Sequence, residues 1–203
     1  MDVVREQLVV GRHRVTVARP ADAAALIDET RFEEDEYLPY WAELWPAGVA
    51  LARVVAGRDV RGLHVLEIGC GLGLPSIVAA LGGASVVATD WSPDAVAAVR
   101  ENAASNGARL SARVLDWRDR GGVAAVHDLV LAADVLYEAR NAEPVAALVA
   151  AALGPRGSAL VCDPGRRHAA GMVEHARGAG LAVEELPHDL PSPDARLLCL
   201  RPG

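Results

Sequence analysis

The feature that most constrains the fold is the stretch VLEIGCGLGLPSIVAALGGASVVATDW, residues 65–91. An apolar, strand-like run leads into three closely spaced glycines, a helix-like run follows, and a second apolar run ends at Asp90. Glycines at such a junction permit a tight turn and close approach of the backbone to a neighbour. Two continuous apolar strands joined by a helix predict a parallel β–α–β unit with helices covering both faces of its sheet.

The same alternation continues to the end of the chain. Apolar periodicity predicts further helices over residues 92–107, 143–155 and 167–180. It predicts further strands over residues 109–117, 127–135, 158–164, 181–187 and 195–202. The pattern therefore predicts an α/β fold of the Rossmann-like kind, whose ligands bind beyond the carboxyl ends of the strands.

The N-terminal part follows a different pattern. Residues 3–19 alternate apolar and polar residues around Gly11, which predicts a β-hairpin, and residues 21–30 predict a short helix. Residues 31–45 hold five of the eight aromatic residues, and a helix-like run begins at Pro46. We therefore predict an N-terminal extension over residues 1–45, with a hairpin and an aromatic lid, and a main domain over residues 46–203.

Composition limits the classes of function. The net charge of −7 gives no electrostatic help towards nucleic-acid phosphates. No apolar run reaches the roughly 20 residues of a membrane span, and the N-terminus lacks the layout of a signal peptide. Three scattered cysteines and six histidines without ligand spacing indicate no disulfide framework and no metal site. We expect a cytoplasmic protein, monomeric or weakly dimeric, without a nucleic-acid or membrane partner.

An acid precedes the glycine loop and decides which ligand it suits. Glu67 stands two residues before Gly69, and the spacing is G-x-G-x-G rather than the dinucleotide pattern G-x-G-x-x-G. A carboxylate at the lip of the loop would repel a pyrophosphate and attract a cation. S-adenosylmethionine (SAM) carries a sulfonium and an ammonium and no phosphate, and Asp90 is spaced to accept its ribose hydroxyls. The alternatives are a glycine turn needed only for packing, and a nicotinamide dinucleotide site.

With this motif, residues 40–201 resemble class I SAM-dependent methyltransferases. The resemblance implies a seven-stranded, mostly parallel sheet whose last strand is antiparallel. It implies that the loop of Gly69, Gly71 and Gly73 surrounds the methionine part of SAM, with Glu67 at its start. For the ribose and adenine it implies contacts from Asp90, Trp91, Asp116 and Trp117.

Three further stretches resemble a narrower group, the family-16 protein methyltransferases. They are WAELWPAGVALARVV (41–55), LAADVLYE (131–138) and CDPGR (162–166). That group modifies lysine, less often arginine or histidine, on folded proteins. The most similar branch is the bacterial one that resembles electron transfer flavoprotein β-subunit lysine methyltransferases, in which some proteins carry the label nicotinamide N-methyltransferase-like.

The narrower resemblance implies catalytic roles for Asp134 and Tyr137, which form a D-x-x-Y pattern after a strand. A carboxylate and a phenol beside a sulfonium can orient an acceptor amine, and Ala133 leaves room near SAM. In the structural alternative Asp134 caps a turn and Tyr137 packs. Trp45 either contacts the cofactor or anchors the N-terminal segment, and Arg166 either contacts substrate or caps a strand.

Three functions follow as hypotheses. The favoured one is methylation of a protein lysine by in-line displacement at SAM. A small-molecule N- or O-methyltransferase is the first alternative, and a pocket closed by Phe32, Tyr37 and Tyr40 would favour it. An open acidic groove would favour a protein substrate. The acidic run of residues 33–36 could attract such a substrate, but a solvated face is the preferred interpretation. The second alternative is a non-catalytic SAM-binding partner protein.

Overall fold

The chain folds around one large sheet, as a computed structural model that describes residues 2–26, 39–119 and 122–203. The described strands are β1 (Val3–Val10), β2 (His13–Pro20), β3 (His64–Ile68), β4 (Ser85–Asp90), β5 (Ser111–Val114), β6 (His127–Ala133), β7 (Leu153–Asp163), β8 (Leu181–Leu186) and β9 (Arg196–Pro202). The described α-helices are α1 (Pro46–Ala56), α2 (Leu74–Leu81), α3 (Pro93–Ser105), α4 (Ala142–Ala152) and α5 (Ala169–Gly178). Short 3-10 turns cover Ala24–Leu26, Tyr40–Ala42 and Ala139–Asn141.

The large sheet has seven strands in the order β5-β4-β3-β6-β7-β9-β8. Strands β5, β4, β3, β6 and β7 pair in parallel, and β9 is antiparallel to both of its neighbours. The predicted seven-stranded sheet with an antiparallel last strand is thus confirmed. The chain moves outward from β3 through β4 to β5 and then crosses to β6 on the other side of β3. This reversal opens a crevice at the carboxyl ends of β3 and β6.

Successive residues of each central strand enter different layers of the core. Val65 of β3 belongs to the apolar cluster with Leu51 of α1 and Ile77 of α2. Leu66, the next residue, belongs to the opposite cluster with Leu148 of α4. Because both faces are covered, each strand reads as a continuous apolar run, which is why the sequence predicts these strands well.

The predicted N-terminal hairpin is also confirmed, and it joins the core beside α1 and α2 through Val15 and its neighbours. Asparagine side chains at the end of α3 form hydrogen bonds with the outer edge of β2. The Thr16 amide donates to Asn106 Oδ1 and the Ala18 amide donates to Asn102 Oδ1, each at 2.8 Å. These hydrogen bonds pair backbone groups that an edge strand would otherwise expose. The predicted division between residues 45 and 46 stays a prediction.

Besides β7, three elements differ from their predicted bounds by three residues or more at one end. The strand predicted over 109–117 covers only Ser111–Val114, because it pairs only with the last four residues of β4. The helix predicted over 143–155 ends at Ala152. Of the helix predicted over 21–30, the described part forms only the 3-10 turn at Ala24–Leu26.

Strand β7 begins five residues before its predicted start. Leu153 pairs with His127 and Ser158 pairs with Leu129, so a bulge takes up the extra residues of β7. A bulge of this kind depends on the partner strand, so apolar periodicity gives no signal for it.

Helix α2 is preceded by a glycine, Gly73, that no other residue replaces easily. Gly73 has a φ of +81°, and a Cβ there would lie 2.1 Å from Val99 Cγ2 of α3. Gly107 has a similar φ of +67° with nothing within 4 Å of such a Cβ. We expect Gly73→Ala to lower the free energy of unfolding by roughly 2–4 kcal/mol through strain plus overpacking. Gly107→Ala should cost only the strain, about 1–2 kcal/mol.

Urea unfolding of the two variants measures both losses. Equal losses at Gly73 and Gly107 would contradict the assignment of a steric role to the contact with α3.

Candidate active site

A cavity opens at the carboxyl ends of β3, β4 and β6, in the crevice that the strand order creates. Most of the predicted site residues line it: Trp45, Glu67, Gly69, Gly71, Gly73, Asp90, Trp91, Trp117, Ala133, Asp134 and Tyr137. Asp116 lies instead in an adjoining depression, which shares Tyr40, Trp91, Trp117 and Tyr137 with the cavity. The structure therefore gathers eleven of the twelve residues in one place, and their individual roles stay predictions.

The glycine loop is packed from three sides by the protein itself. A Cβ at Gly69 would lie 3.1 Å from Trp117 Cζ2, and one at Gly71 would lie 3.3 Å from the Trp41 carbonyl oxygen. The backbone at Gly73 meets α3 in the same way. From sequence, these glycines are expected to allow close approach of a ligand. The geometry adds that each one also admits a separate part of the protein.

Glu67 lies beneath the loop rather than at its lip. Its side chain is buried, with 1% of the residue exposed, and it faces α2. The Ser76 amide donates to Glu67 Oε2 at 2.9 Å, and the Ser76 hydroxyl donates to the same oxygen. Burial raises the pKa of Glu67 to about 8, although the bonds from Ser76 oppose the rise. Without a ligand the side chain is therefore mostly uncharged at neutral pH, and a nearby cation would favour its ionised form.

Asp90, at the end of β4, ties the loop to the start of α3. Its Oδ2 accepts the Gly71 amide at 2.9 Å and its Oδ1 accepts the Ser92 amide at 3.0 Å. Burial raises its pKa, and these amide bonds act in the opposite direction. Each carboxylate oxygen has a second lone pair, so Asp90 can hold the loop and still accept bonds from a ligand.

The predicted adenine end is more exposed. Trp91 is 40% exposed. Both carboxylate oxygens of Asp116 accept from Arg118 at 2.6–3.1 Å, and this guanidinium holds the pKa of Asp116 below its usual range. Asp116 would therefore have to exchange part of this pairing to bind an adenine amino group. Trp117 Nε1 is buried and makes no hydrogen bond within the described residues.

Asp134 is buried in the cavity wall and forms an ion pair with Arg166. It follows β6 with a φ of +54°, which is unusual for a residue other than glycine, and its side chain is 3% exposed. Arg166 donates from Nε to Oδ1 at 2.8 Å and from a terminal nitrogen to Oδ2 at 3.0 Å. The guanidinium carbon of Arg166 also lies 5.5 Å from the centre of the Trp45 ring. Of the two interpretations of Arg166, the structure therefore favours a place in the site.

Aromatic rings form the other side of this cavity. Tyr137 packs against Tyr40 with ring centres 4.9 Å apart, and against Trp117 at 6.2 Å. Burial raises the pKa of Tyr137, so its hydroxyl stays protonated. Trp45 Nε1 donates to the Tyr40 carbonyl at 2.7 Å, which fixes both aromatic residues at the rim.

The predicted lid is covered only in part. Tyr40 belongs to the described residues, whereas Phe32, Tyr37 and the acidic run 33–36 lie outside them. Within the described ranges, no helix combines the length and apolar character of a bilayer crossing. No cluster of three or more metal-ligating side chains occurs among the same residues.

Two residues of the site were missed or left open from sequence. The hydroxyl of Ser76 donates to Glu67, nine residues earlier in the chain. The position of Ser76 in the first turn of α2, after Pro75, is a sequence signal from which this contact could have been predicted. Arg166 and Asp134 are 32 residues apart, so their pairing has no signal in the sequence itself.

Comparison with known proteins agrees with this geometry. A protein-family model described as "Lysine methyltransferase" matches residues 28–172. The electron transfer flavoprotein beta subunit lysine methyltransferase of Xenopus laevis is 36% identical over 135 residues, covering 63% of this chain and 53% of that protein. EEF1A lysine methyltransferase 3 of Mus musculus is 35% identical over 102 residues, covering 47% of this chain and 44% of that protein.

The fold has matches among solved structures as well. A TehB-like SAM-dependent methyltransferase from Corynebacterium glutamicum superposes with a TM-score of 0.66 at 20% identity, covering 91% of this chain and all of that one. This likeness confirms the class I methyltransferase fold. The chain spans about half the length of the curated relatives that it matches. Because the family model covers most of the chain, the resemblance is confirmed, and this protein belongs to the lysine methyltransferase family.

Proposed function

We propose that this protein transfers a methyl group from SAM to the amine of a lysine side chain on a protein. The observation that carries the proposal is the excess of carboxyl groups over basic groups in the cavity lining, among which Glu67 is ionised most easily beside a cation. Four acidic residues line the cavity, namely Glu43, Glu67, Asp90 and Asp134. Arg166 is the one basic residue among its described lining residues, and it is paired with Asp134. Such a lining suits a cationic ligand and offers nothing to a phosphate.

The residues present fit SAM on chemical grounds. The packed loop offers bare backbone at its three glycines, and Glu67 beneath it gains its charge most easily beside a cation. Asp90 has lone pairs left for ribose hydroxyls, and Trp91 offers an exposed ring to a base. When bound, SAM supplies a methyl carbon that the acceptor lone pair attacks while the carbon–sulfur electron pair stays on sulfur.

On the acceptor side, Asp134 and Tyr137 are the groups that would orient an amine. The carboxylate is held rigid by two hydrogen bonds from Arg166, and the phenol is enclosed by Tyr40 and Trp117. Orientation contributes most in a displacement of this kind, because the lone pair must align with the breaking bond. Burial of the acceptor amine among these aromatic rings would favour its neutral form.

A protein lysine is the proposed acceptor because the relatives carry names of protein lysine methyltransferases. The first relatives act, by name, on the electron transfer flavoprotein β subunit. That subunit is the first candidate substrate for this chain. A cytoplasmic location and a monomeric or weakly dimeric state stay predictions from the sequence.

Labelling with tritiated SAM tests the proposal. The purified protein is incubated with lysate and, separately, with electron transfer flavoprotein, and products are resolved on a denaturing gel and in a small-molecule extract. This chain contains no lysine, so its own band provides an internal blank for lysine methylation. We expect a labelled protein band whose methyllysine is identified by mass spectrometry.

Two other results would change the assignment. Label confined to the small-molecule extract would move the protein to the metabolite methyltransferases. SAM binding without any labelled product would support a non-catalytic partner protein.

Loss of Asp90 should weaken the binding of SAM. We expect Asp90→Ala to reduce the binding free energy by about 1–3 kcal/mol, because ligand hydroxyls lose an acceptor and the Gly71 amide loses its partner. Isothermal titration measures the effect. Asp94→Ala, an exposed carboxylate in the first turn of α3, is the control and should bind SAM as the wild type does. Unchanged affinity in Asp90→Ala would refute its role.

Tyr137→Phe should act on turnover alone. The phenyl ring keeps the packing against Tyr40 and Trp117, and only the hydroxyl is lost. We expect turnover to fall about ten-fold, the equivalent of one hydrogen bond, with SAM affinity unchanged. Tyr40→Phe is the matched control, and steady-state kinetics with calorimetry separate the two quantities. A wild-type rate in Tyr137→Phe would remove it from the catalytic residues.

A further inference from the structure

We propose that Arg166 is a positioning residue that neutralises Asp134, so that this carboxylate orients the acceptor amine without holding it as an ammonium ion. The inference rests on the proposed function in one respect, namely that the acceptor is an amine. It adds a residue to the site and assigns to it a task that neither Asp134 nor Tyr137 can perform.

The contact between the two side chains is built for charge pairing. Both oxygens of Asp134 accept from Arg166, at 2.8 and 3.0 Å, and the carboxylate side chain is 3% exposed. The arginine side chain is 37% exposed and rests over the Trp45 ring. Hence the carboxylate of Asp134 is enclosed, whereas its partner Arg166 reaches solvent. A buried carboxylate in this position requires a cation beside it.

The loop after β7 brings Arg166 next to Asp134. Asp163 Oδ1 accepts the amides of Gly165 and Arg166 at 2.8 and 2.7 Å, which closes a tight turn. Gly165 has a φ of +104°, and a Cβ there would lie 3.0 Å from Ser192 Oγ. The turn is therefore held by a buried acid on one side and by a neighbouring loop on the other. Pairing with Asp134 follows from this backbone path.

The chemistry of the acceptor explains why neutralisation matters. A lysine amine must lose its proton to solvent before its lone pair can form the new carbon–nitrogen bond. A bare carboxylate beside it would raise the pKa of the amine and keep it protonated. A carboxylate already paired with a guanidinium has no net charge to offer, yet it keeps lone pairs for an amine N–H. Arg166 therefore separates the orienting task of Asp134 from the attraction of its charge.

The other charged and titratable groups do not replace Arg166. Around the guanidinium they are the carboxyls of Asp134 and Asp163 and the phenol of Tyr40. Elsewhere in the cavity lining they are Glu43, Glu67, Asp90 and Tyr137. None of these groups is a cation. Contact with Asp134 raises the pKa of Arg166 further, so it stays charged throughout the working range of pH.

The first experiment measures binding of n-butylammonium, a mimic of the lysine side chain, and needs no methyl transfer. Arg166→Gln leaves Asp134 without its cation, so we expect n-butylammonium to bind this variant at least ten-fold more tightly than the wild type at pH 7. Asp134→Asn added to Arg166→Gln should abolish that gain. Arg167→Gln, a change of the same kind at the neighbouring residue, should behave as the wild type. Calorimetry measures the affinities, and circular dichroism checks the fold.

The second experiment records kcat/KM against pH for methyl transfer to protein lysine. The pH at which kcat/KM rises should be higher by about one unit or more in Arg166→Gln, because the acceptor amine keeps its proton to a higher pH. Arg166→Lys keeps the charge but loses the two-pronged contact, so this pH should stay close to that of the wild type. This variant also keeps the test decisive if Arg166→Gln folds poorly, since the lysine variant should still exclude n-butylammonium.

The outcomes separate the two proposals. Equal n-butylammonium affinity in the folded wild type and Arg166→Gln would overturn the inference, and so would a loss of activity by the same factor at every pH. If the wild type methylates no protein while Arg166→Gln still gains n-butylammonium affinity, the proposed function fails and the neutralising role of Arg166 stands.

Discussion

The close approach of three chain segments to the glycine loop determines where the walls of the cavity lie. The segment of Trp41 packs on the middle of the loop, Trp117 packs on its start, and α3 packs on its end through Val99. A side chain at any of these glycines would displace one wall. The absence of side chains at Gly69, Gly71 and Gly73 thus fixes the shape of the cavity before any ligand enters. The loop is at once a packing junction and a binding surface.

The fold could be predicted largely because its central strands are buried on both faces. Such strands appear as continuous apolar runs, and β3, β4 and β6 stand out in the sequence for that reason. The errors lie where pairing with a distant strand decides the boundary. Strand β7 starts early because it bulges against His127, and β5 ends at Val114 because its partner β4 ends at Asp90. The sequence of β5 or β7 alone does not indicate how far its partner strand extends.

The residues of the site also differ in how well the sequence predicts them. Residues of one continuous motif, such as Glu67 and Asp90, could be proposed from spacing alone. The depth of Glu67 could have been anticipated too, because it shares the strand face of Val65, which α2 covers. The pairing of Asp134 with Arg166 could not, since two separate loops after β6 and β7 bring them together. Tertiary pairing of this kind gives the cavity its distribution of charge.

Burial keeps Glu67 mostly neutral until a cation arrives beside it. Binding of SAM should lower its pKa from about 8 and so release a proton. The most direct test is calorimetric titration of SAM at pH 7 in two buffers with different enthalpies of protonation. The account predicts release of about one proton per SAM bound, fading as the pH rises beyond the pKa of Glu67. SAM binding of equal strength at every pH, without proton release, would contradict it.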